Sequence, residues 1–307
     1  MEGILPLLKP KGMTSHDCVF KLRKILKTKK VGHTGTLDPD VTGVLPICIG
    51  RATKIAEYIT DAGKAYEGEI TLGYSTTTED SSGEKLDEVI ISDVITRERI
   101  LEVFQSLTGL ITQTPPMYSA VKVNGKKLYE YARAGIEVER PSREVTIHEL
   151  TLLDDREVFE GDTISFKFKV KCSKGTYIRT LAVMMGERLG YPAHMSSLIR
   201  IESAGFTLND CKTLEEVKNL FEEGKEKEFL LPLERGLYHL PKYQINDKVA
   251  MKILNGAVLT QPDDLAYAKG EPFVMINENG RALAIYQVHP VKDQVIKPVK
   301  VLVIDEL

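Results

Sequence analysis

Residues that build metal centres and disulfide frameworks are scarce in this chain, and those present lie far apart. The four cysteines, Cys18, Cys48, Cys172 and Cys211, include no C-x-x-C pair. That spacing argues against a zinc ribbon and a disulfide scaffold, so the thiols are expected to be reduced. The six histidines stand at 16, 33, 148, 194, 239 and 289, none in H-E-x-x-H or another spacing that sets two ligands on one helix face. No metal site is expected. No apolar run approaches the roughly 20 residues a membrane-crossing helix needs. The opening MEGILPLLKPKG has too short an apolar stretch, with its lysines behind it, to resemble a secretion signal. The expectation is a cytoplasmic protein without membrane contact.

Net charge is also nearly absent. Lys and Arg number 41 against 44 Asp and Glu, a formal charge of -3, and such a total decides nothing about partners, which respond to local fields. The distribution says more. From Lys9 to Lys30 there are eight basic residues against one acid, Asp17, whereas Lys212 to Glu228 carries six glutamates. Alone, the basic run reads as the solvated face of a surface helix, and a phosphate-binding role needs corroboration. What the chain does have is 307 residues, 42 % of them hydrophobic, enough for one large domain and a small one.

Thr14 and Asp17 stand in capping-box spacing ahead of Cys18, Leu22, Ile25 and Leu26, which predicts a basic amphipathic helix over about 15–27. VLPICIG reads as a short buried strand and ATKIAEYIT as a helix. AYEGEITLG alternates at Tyr66, Gly68, Ile70 and Leu72 like a half-buried strand; the polar YSTTTEDSSGEK behind it is expected to be a mobile connection. A helix is predicted near 96–107, then a strand, an Asn124-Gly125 turn and a short helix. REVTIHELTLL and TISFKFKVKCS read as strands, and GTYIRTLAVMMGERLG as a helix stopped by Gly190. An acidic helix capped by Thr213 and Glu216 follows, and prolines at 232 and 241 mark a boundary. Beyond it lie a short helix, DKVAMKILNG, and β-rich material. Strands and helices do not alternate regularly, which favours a mixed α+β fold. The expected division is a large domain over 1–240 and a small β-rich one over 241–307.

The segment VGHTGTLDPDVTG, residues 31–43, holds three glycines, three threonines, a histidine and Asp38, and is too poor in apolar groups to read as core. Glycines permit close backbone approach, Pro39 fixes the residue after the acid, and the threonines supply local hydrogen bonds. In isolation Asp38 reads as a turn cap. GTLDPDVTGV resembles the GTFDPxTxGH loop of nucleotidyltransferases, but Val44 occupies the place of the histidine that meets phosphates. That loop also follows the first strand of a parallel fold, whereas a basic helix precedes this one.

A second resemblance is closer. KPKGMTSHD, KVGHTGTLDPDVTGVLPICIGRATK, KAYEGEITLG, PPMYSAVKVNGKKLYEYAR and CSKGTYIRTLA occur in the order of the motifs of the TruB family of bacterial tRNA pseudouridine synthases. They cover most of residues 6–206, and the tail is similar, with weaker motifs, to that family's small PUA-type RNA-binding domain. The resemblance implies isomerisation of uridine 55 in the T loop of tRNA, on a largely antiparallel mixed sheet (the pseudouridine synthase fold), with no cofactor, no obligate protein partner and a monomeric chain. A non-catalytic tRNA-binding or tRNA-folding module is the alternative.

On that resemblance Asp38 is the catalytic carboxylate. The reaction breaks the bond from ribose to uracil N1 and rejoins the base through C5, with no net gain of atoms or electrons. One carboxylate can attack the ribose, stabilise its developing charge, or take a ribose proton on the way to a glycal. Arg179 matches the arginine that pairs with it and is expected to hold its pKa down. Tyr66 matches the tyrosine that stacks on the uracil and is a candidate base for the C5 proton. Tyr177 and Leu198 match further positions lining the uracil pocket. His33 matches the histidine that fills the gap left by the extruded base. Lys9, Lys11, Lys24, Lys27, Lys30 and Lys54 are assigned to the RNA backbone.

Overall fold

The computed structural model describes residues 1–303. Several of its strands form where apolar side chains recur at every second position, while strands buried on both faces are continuous apolar runs. The clearest case of alternation is Ile164–Cys172, where Ile164, Phe166, Phe168, Val170 and Cys172 are buried and the intervening lysines and serine face outward. Each such side chain contributes about 1.5–3 kcal/mol on burial.

In chain order the elements that build the site are β1 (Gly3–Lys9), α1 (Ser15–Ile25), β2 (Val31–His33), β3 (Thr42–Ile49), α2 (Ala56–Asp61), β4 (Lys64–Leu72), α3 (Arg97–Leu107), β5 (Gly109–Gln113), α4 (Leu128–Arg133), β6 (Arg143–Leu152), β7 (Ile164–Cys172), α5 (Ile178–Leu189), β8 (Ala193–Ser203), β9 (Phe206–Thr207) and α6 (Leu214–Glu222). Nine strands make one sheet in the order β1-β3-β8-β4-β7-β6-β5, with β2 on β3 and β9 on β8. All pairings in it are antiparallel except that of β3 with β8. This is the mixed, largely antiparallel sheet that the resemblance implies, and it is not the parallel fold a nucleotidyltransferase loop requires.

A second sheet follows, built from β10 (Lys242–Gln244), β11 (Leu259–Thr260), β12 (Pro272–Ile276), β13 (Ala282–Val288) and β14 (Val295–Val301) in the order β10-β12-β13-β14-β11, with the helix α7 (Asp247–Leu254) beside it. It has a core of its own around Phe273, Leu283 and Tyr286. It also shares one with the first sheet, where Val274, Ala282 and Ile285 pack with Ile4, Ala52, Ile55 and Ile59. The shared core supplies burial that a unit of this size lacks alone.

The capping boxes expected at Thr14/Asp17 and Thr213/Glu216 are formed, and Gly190 ends α5 in the left-handed region at φ 93°. Other elements differ from the sequence pattern. The helix expected over ATKIAEYIT is a 3-10 segment over Gly50–Ile55 followed by the short α2. Local patterning predicts none of β1, β5 and β8. β1 is apolar from Ile4 to Leu8 with a proline inside it, a pattern without strand alternation; as an edge strand it accommodates Pro6, which faces Pro46. The connection expected to be mobile is instead tied down. Asp80 Oδ1 accepts from the Thr78 and Ser82 hydroxyls, and Met195 N donates to the Glu79 carbonyl.

Candidate active site

The segment 31–43 is only partly a loop. Val31–His33 pairs with β3 as β2, and Leu37 and Val41 enter the main core beside Tyr66, so its few apolar residues are core after all. Residues 34–41 form the loop between them, and every side of it is held. Thr34 donates twice to the Pro46 carbonyl, at 3.1 Å from its amide and 3.0 Å from its hydroxyl. Ser15 Oγ accepts from Leu37 N at 2.9 Å, and Gly12 N donates to the Pro39 carbonyl at 2.9 Å. Gly43, at φ 113°, lies where β3 crosses the backbone of Arg200, and a Cβ there would collide with it.

Two of the residues assigned to the RNA backbone take other places. Lys9 is fully buried, and its ammonium donates to the carbonyls of Pro10, Pro39 and Val41 at 3.0, 2.9 and 2.7 Å. It is a brace beneath the loop, out of reach of a phosphate. Lys54 is half-buried and donates to the Val301 carbonyl at 2.7 Å, joining the first sheet to the second. Lys11, Lys24, Lys27 and Lys30 are exposed, on α1 and the turns flanking it.

Asp38 and Arg179 meet. Arg179 Nε lies 3.1 Å from Asp38 Oδ2, with the arginine side chain only 6 % exposed and the carboxylate 42 % exposed, so the acid remains open to a substrate while its partner does not. The rest of the guanidinium is engaged too: Nη1 donates to the Thr78 carbonyl at 2.9 Å and faces Asp80 Oδ2 at 3.7 Å, and Nη2 donates to the Tyr118 carbonyl at 2.9 Å. Two carbonyl acceptors and two carboxylates hold the cation in one orientation. Asp40, the other acid of the segment, is exposed.

The pairing does not depress the Asp38 pKa as expected. Burial raises it, and the attraction of Arg179 only partly opposes that rise, with Asp80 adding a further upward push. His33, at the end of β2, is lowered by burial and then by the charges of His16 and Arg200, which favours the neutral imidazole. Its Nδ1 has no hydrogen-bond partner among the described residues.

Tyr66 lies on β4 and Leu198 on the adjoining β8, where Leu198 faces Gly68 and Arg200 faces Tyr66. Tyr66 is buried and Leu198 half-buried. Tyr177 is half-buried at the N-terminus of α5, one residue before the helix that carries Arg179. The buried Gln113 fixes its backbone by a reciprocal pair of hydrogen bonds at 2.9 and 3.1 Å, and Arg143 stacks on its ring at 4.7 Å. Asp38 and Arg179 thus meet, Tyr66 and Leu198 pack in the core that Leu37, next to Asp38, also enters, and Tyr177 precedes Arg179 by two residues at the start of α5.

Sequence reasoning missed Asp80, Gln113, Arg143, Lys64 and Arg200. Asp80 sits in a stretch whose polarity reads as a connection, and the others lack local signals. Among the described residues no group of three or more His, Cys, Asp or Glu is arranged to hold a metal ion, and no helix is long and apolar enough to cross a membrane.

Comparison with known proteins bears on this geometry. The family described as TruB family pseudouridylate synthase (N terminal domain) matches residues 23–178, and the one described as tRNA pseudouridylate synthase B C-terminal domain matches 179–238. The chain is 61 % identical over 301 residues to tRNA pseudouridine synthase B of Geobacillus thermodenitrificans, covering 98 % of this chain and 99 % of that protein. It is 58 % identical over 304 residues to the Bacillus cereus protein of the same name, covering 99 % and 98 %. Among solved structures, a chain of a Cbf5-Nop10-Gar1 complex superposes with a TM-score of 0.76 at 28 % identity, over 98 % of this chain and 85 % of the other. A chain of the archaeal box H/ACA sRNP Nop10-Cbf5 complex gives 0.73 at 25 %, over 99 % and 88 %.

Proposed function

This chain belongs to the TruB family of pseudouridylate synthases, and from that premise we propose that it isomerises uridine 55 in the T loop of tRNA, with Asp38 acting at the ribose. The chain is an enzyme that forms pseudouridine in tRNA, as its relatives' names describe. The observation that carries the site assignment is the 3.1 Å pairing of a half-open Asp38 carboxylate with a buried Arg179.

The chemistry follows from that pairing. As the N1–C1′ bond breaks, its electron pair leaves with the uracil, and the ribose becomes electron-poor beside the ionised Asp38. Arg179 aims the carboxylate and keeps its attraction from being spent on solvent. The uracil turns between Tyr66, Tyr177 and Leu198, and C5 bonds to C1′. The C5–H electron pair then returns to the ring as its proton passes to the Tyr66 phenolate, while N1 takes a proton from water and the Tyr66 phenol returns one to water. Atoms and electrons balance without a redox group or nucleotide.

A uridine inside a folded loop must first leave its stack, at about a few kcal/mol. His33, neutral and with a free Nδ1 among the described residues, is suited to occupy the space by stacking and hydrogen bonding. Lys11, Lys24, Lys27 and Lys30 face the phosphates of the T stem. The proposed division is a catalytic domain over 1–240 and a PUA-like RNA-binding domain over 241–307. The chain acts as a cytoplasmic monomer without an obligate protein partner, although the solved neighbours belong to multi-protein complexes.

The test is Asp38→Asn with a T-arm stem-loop, beside the unaltered chain. Binding is expected to persist in the variant and conversion to stop. Continued pseudouridine formation by the variant would overturn the assignment of Asp38. Binding without conversion by the unaltered chain would leave only a tRNA-binding or tRNA-folding module.

A further inference from the structure

Arg200 is the largest side chain with no exposure at all, and its hydrogen bonds go to carbonyls on either side of Asp38, one in the loop and one in β3. Nε donates to Val44 O at 2.7 Å and Nη2 to Gly35 O at 3.3 Å, while Nη1 has no hydrogen-bond partner among the described residues. A second buried cation, Lys64, lies beside it. The Lys64 amine donates to the Thr60 and Ala62 carbonyls and is lowered to about 8 by burial and then by Arg200. Two cations buried together are costly, and packing alone does not call for them.

The geometry gives Arg200 a direction. It stands across from Tyr66 in the β8–β4 register, and a bulge falls directly after it, the kind of irregularity that re-aims a side chain. Directly opposite residues of an antiparallel pair project to the same face of the sheet, so the Arg200 side chain lies beside that of Tyr66, and its charge favours the phenolate.

We propose that Arg200 is a positioning residue for pseudouridine formation, joining the segment that carries Asp38 to the hydroxyl of Tyr66 so that both keep one geometry through the reaction. The proposal rests on Tyr66 as acceptor of the C5 proton. To take that proton Tyr66 must be a phenolate, and a fixed cation beside the oxygen stabilises that form. Burial raises the phenol, and Arg200 is the largest influence opposing the rise. The other groups facing it, Cys172 from β7 and Asp38 from the loop, push it up. Cys172 is itself pushed up to about 11 by burial and stays neutral near neutral pH.

The experiment is single-turnover conversion of a T-arm stem-loop by the full chain across the neutral and alkaline range. Arg200→Met is expected to be slower by about 100-fold near neutrality, the scale of a lost general base. The deficit shrinks as pH rises, and stem-loop affinity is kept. Arg200→Lys, with charge but no planar fork, falls between, and carries the test if the Met variant does not fold. A deficit of equal size at every pH, or weaker RNA binding at an unchanged rate constant, overturns the proposal. Fluorotyrosine placed at position 66 and followed by fluorine NMR without RNA reads the phenol directly. It should titrate at higher pH in Arg200→Lys than beside Arg200, and identical titrations overturn the proposal. Tyr66→Phe judges the base separately: an undiminished rate refutes Tyr66 as proton acceptor, while the fluorine titration still decides whether Arg200 holds the phenol.

Discussion

Lys9 Nζ donates to the Val41 carbonyl at 2.7 Å, across 32 positions of sequence, in a place where the lysine has no exposure. Together with its bonds to Pro10 and Pro39, this makes the end of β1 the floor of the loop that presents Asp38. A cation in a run of lysines has become part of the scaffold.

Lys9→Met is therefore expected to lower stability by about 2–4 kcal/mol, because buried carbonyls are left without their donor. Denaturant unfolding measures it. The salt dependence of RNA binding should be unchanged, since Lys9 neutralises no phosphate; a flattened salt dependence with intact stability would return Lys9 to the RNA surface.

Arg179→Ala should slow the chemical step by about 100- to 1,000-fold, the scale for removing a fixed electrostatic partner, with little change in stem-loop affinity. Single-turnover rates beside equilibrium binding separate the two. An unchanged rate constant would remove the orienting role.

The pH dependence follows from burial of Asp38. Its folded pKa lies above the ordinary carboxylate value, so the ionised fraction falls away sooner as pH drops. The acid limb of kcat/KM is expected above the normal aspartate range. Removing the Arg179 charge should move that limb higher still. For stability the cost of the desolvated anion is absent below the ordinary carboxylate value, grows as pH rises from there to the shifted value, and is fully present above it.

Replacing Lys24, Lys27 and Lys30 together by Ala should reduce the slope of log affinity against log salt by about 0.7–0.9 for each phosphate no longer neutralised. Lys54→Ala should leave the slope unaltered, because its amine is engaged with Val301. The slope measured for both variants checks the division of the lysines.

Gly43→Ala is expected to destabilise the protein by about 2 kcal/mol or more. Its positive φ is strained for a side chain, and the added Cβ would meet the Arg200 backbone at the crossing of β3 and β8. Thermal unfolding reads this, and a neutral variant would show that the crossing yields.

Local chemistry was legible where a pattern repeats within a few residues. The alternation in β4 and β7, the caps at Thr14 and Thr213, the stop at Gly190 and the Asn124-Gly125 turn all express short-range sterics and hydrogen bonding. Asp38 by itself reads as a turn cap; it was the order of five motifs along the chain that carried the family resemblance and, through it, the assignment of Asp38 and Arg179. Strand β8 was not legible. His194, Ser196, Ser197 and Arg200 break its apolar pattern, and two bulges shift its register, so only pairing with β3 and β4 defines it as a strand.

Charge was least legible of all. Lys9, Lys11 and Lys54 look alike in sequence, yet one is buried under a loop, one is exposed and one ties the two sheets together. The sign of the Asp38 shift likewise depended on how much water the fold removes from the carboxylate compared with what Arg179 returns. Residue order alone determined which local elements form, because those depend on neighbours a few positions apart, and, through the order of the motifs, which family's chemistry they carry. Solvation, and the meeting of Arg200 with Tyr66, were decided only when distant strands closed around one another, because desolvation and long-range contact exist only in the packed chain.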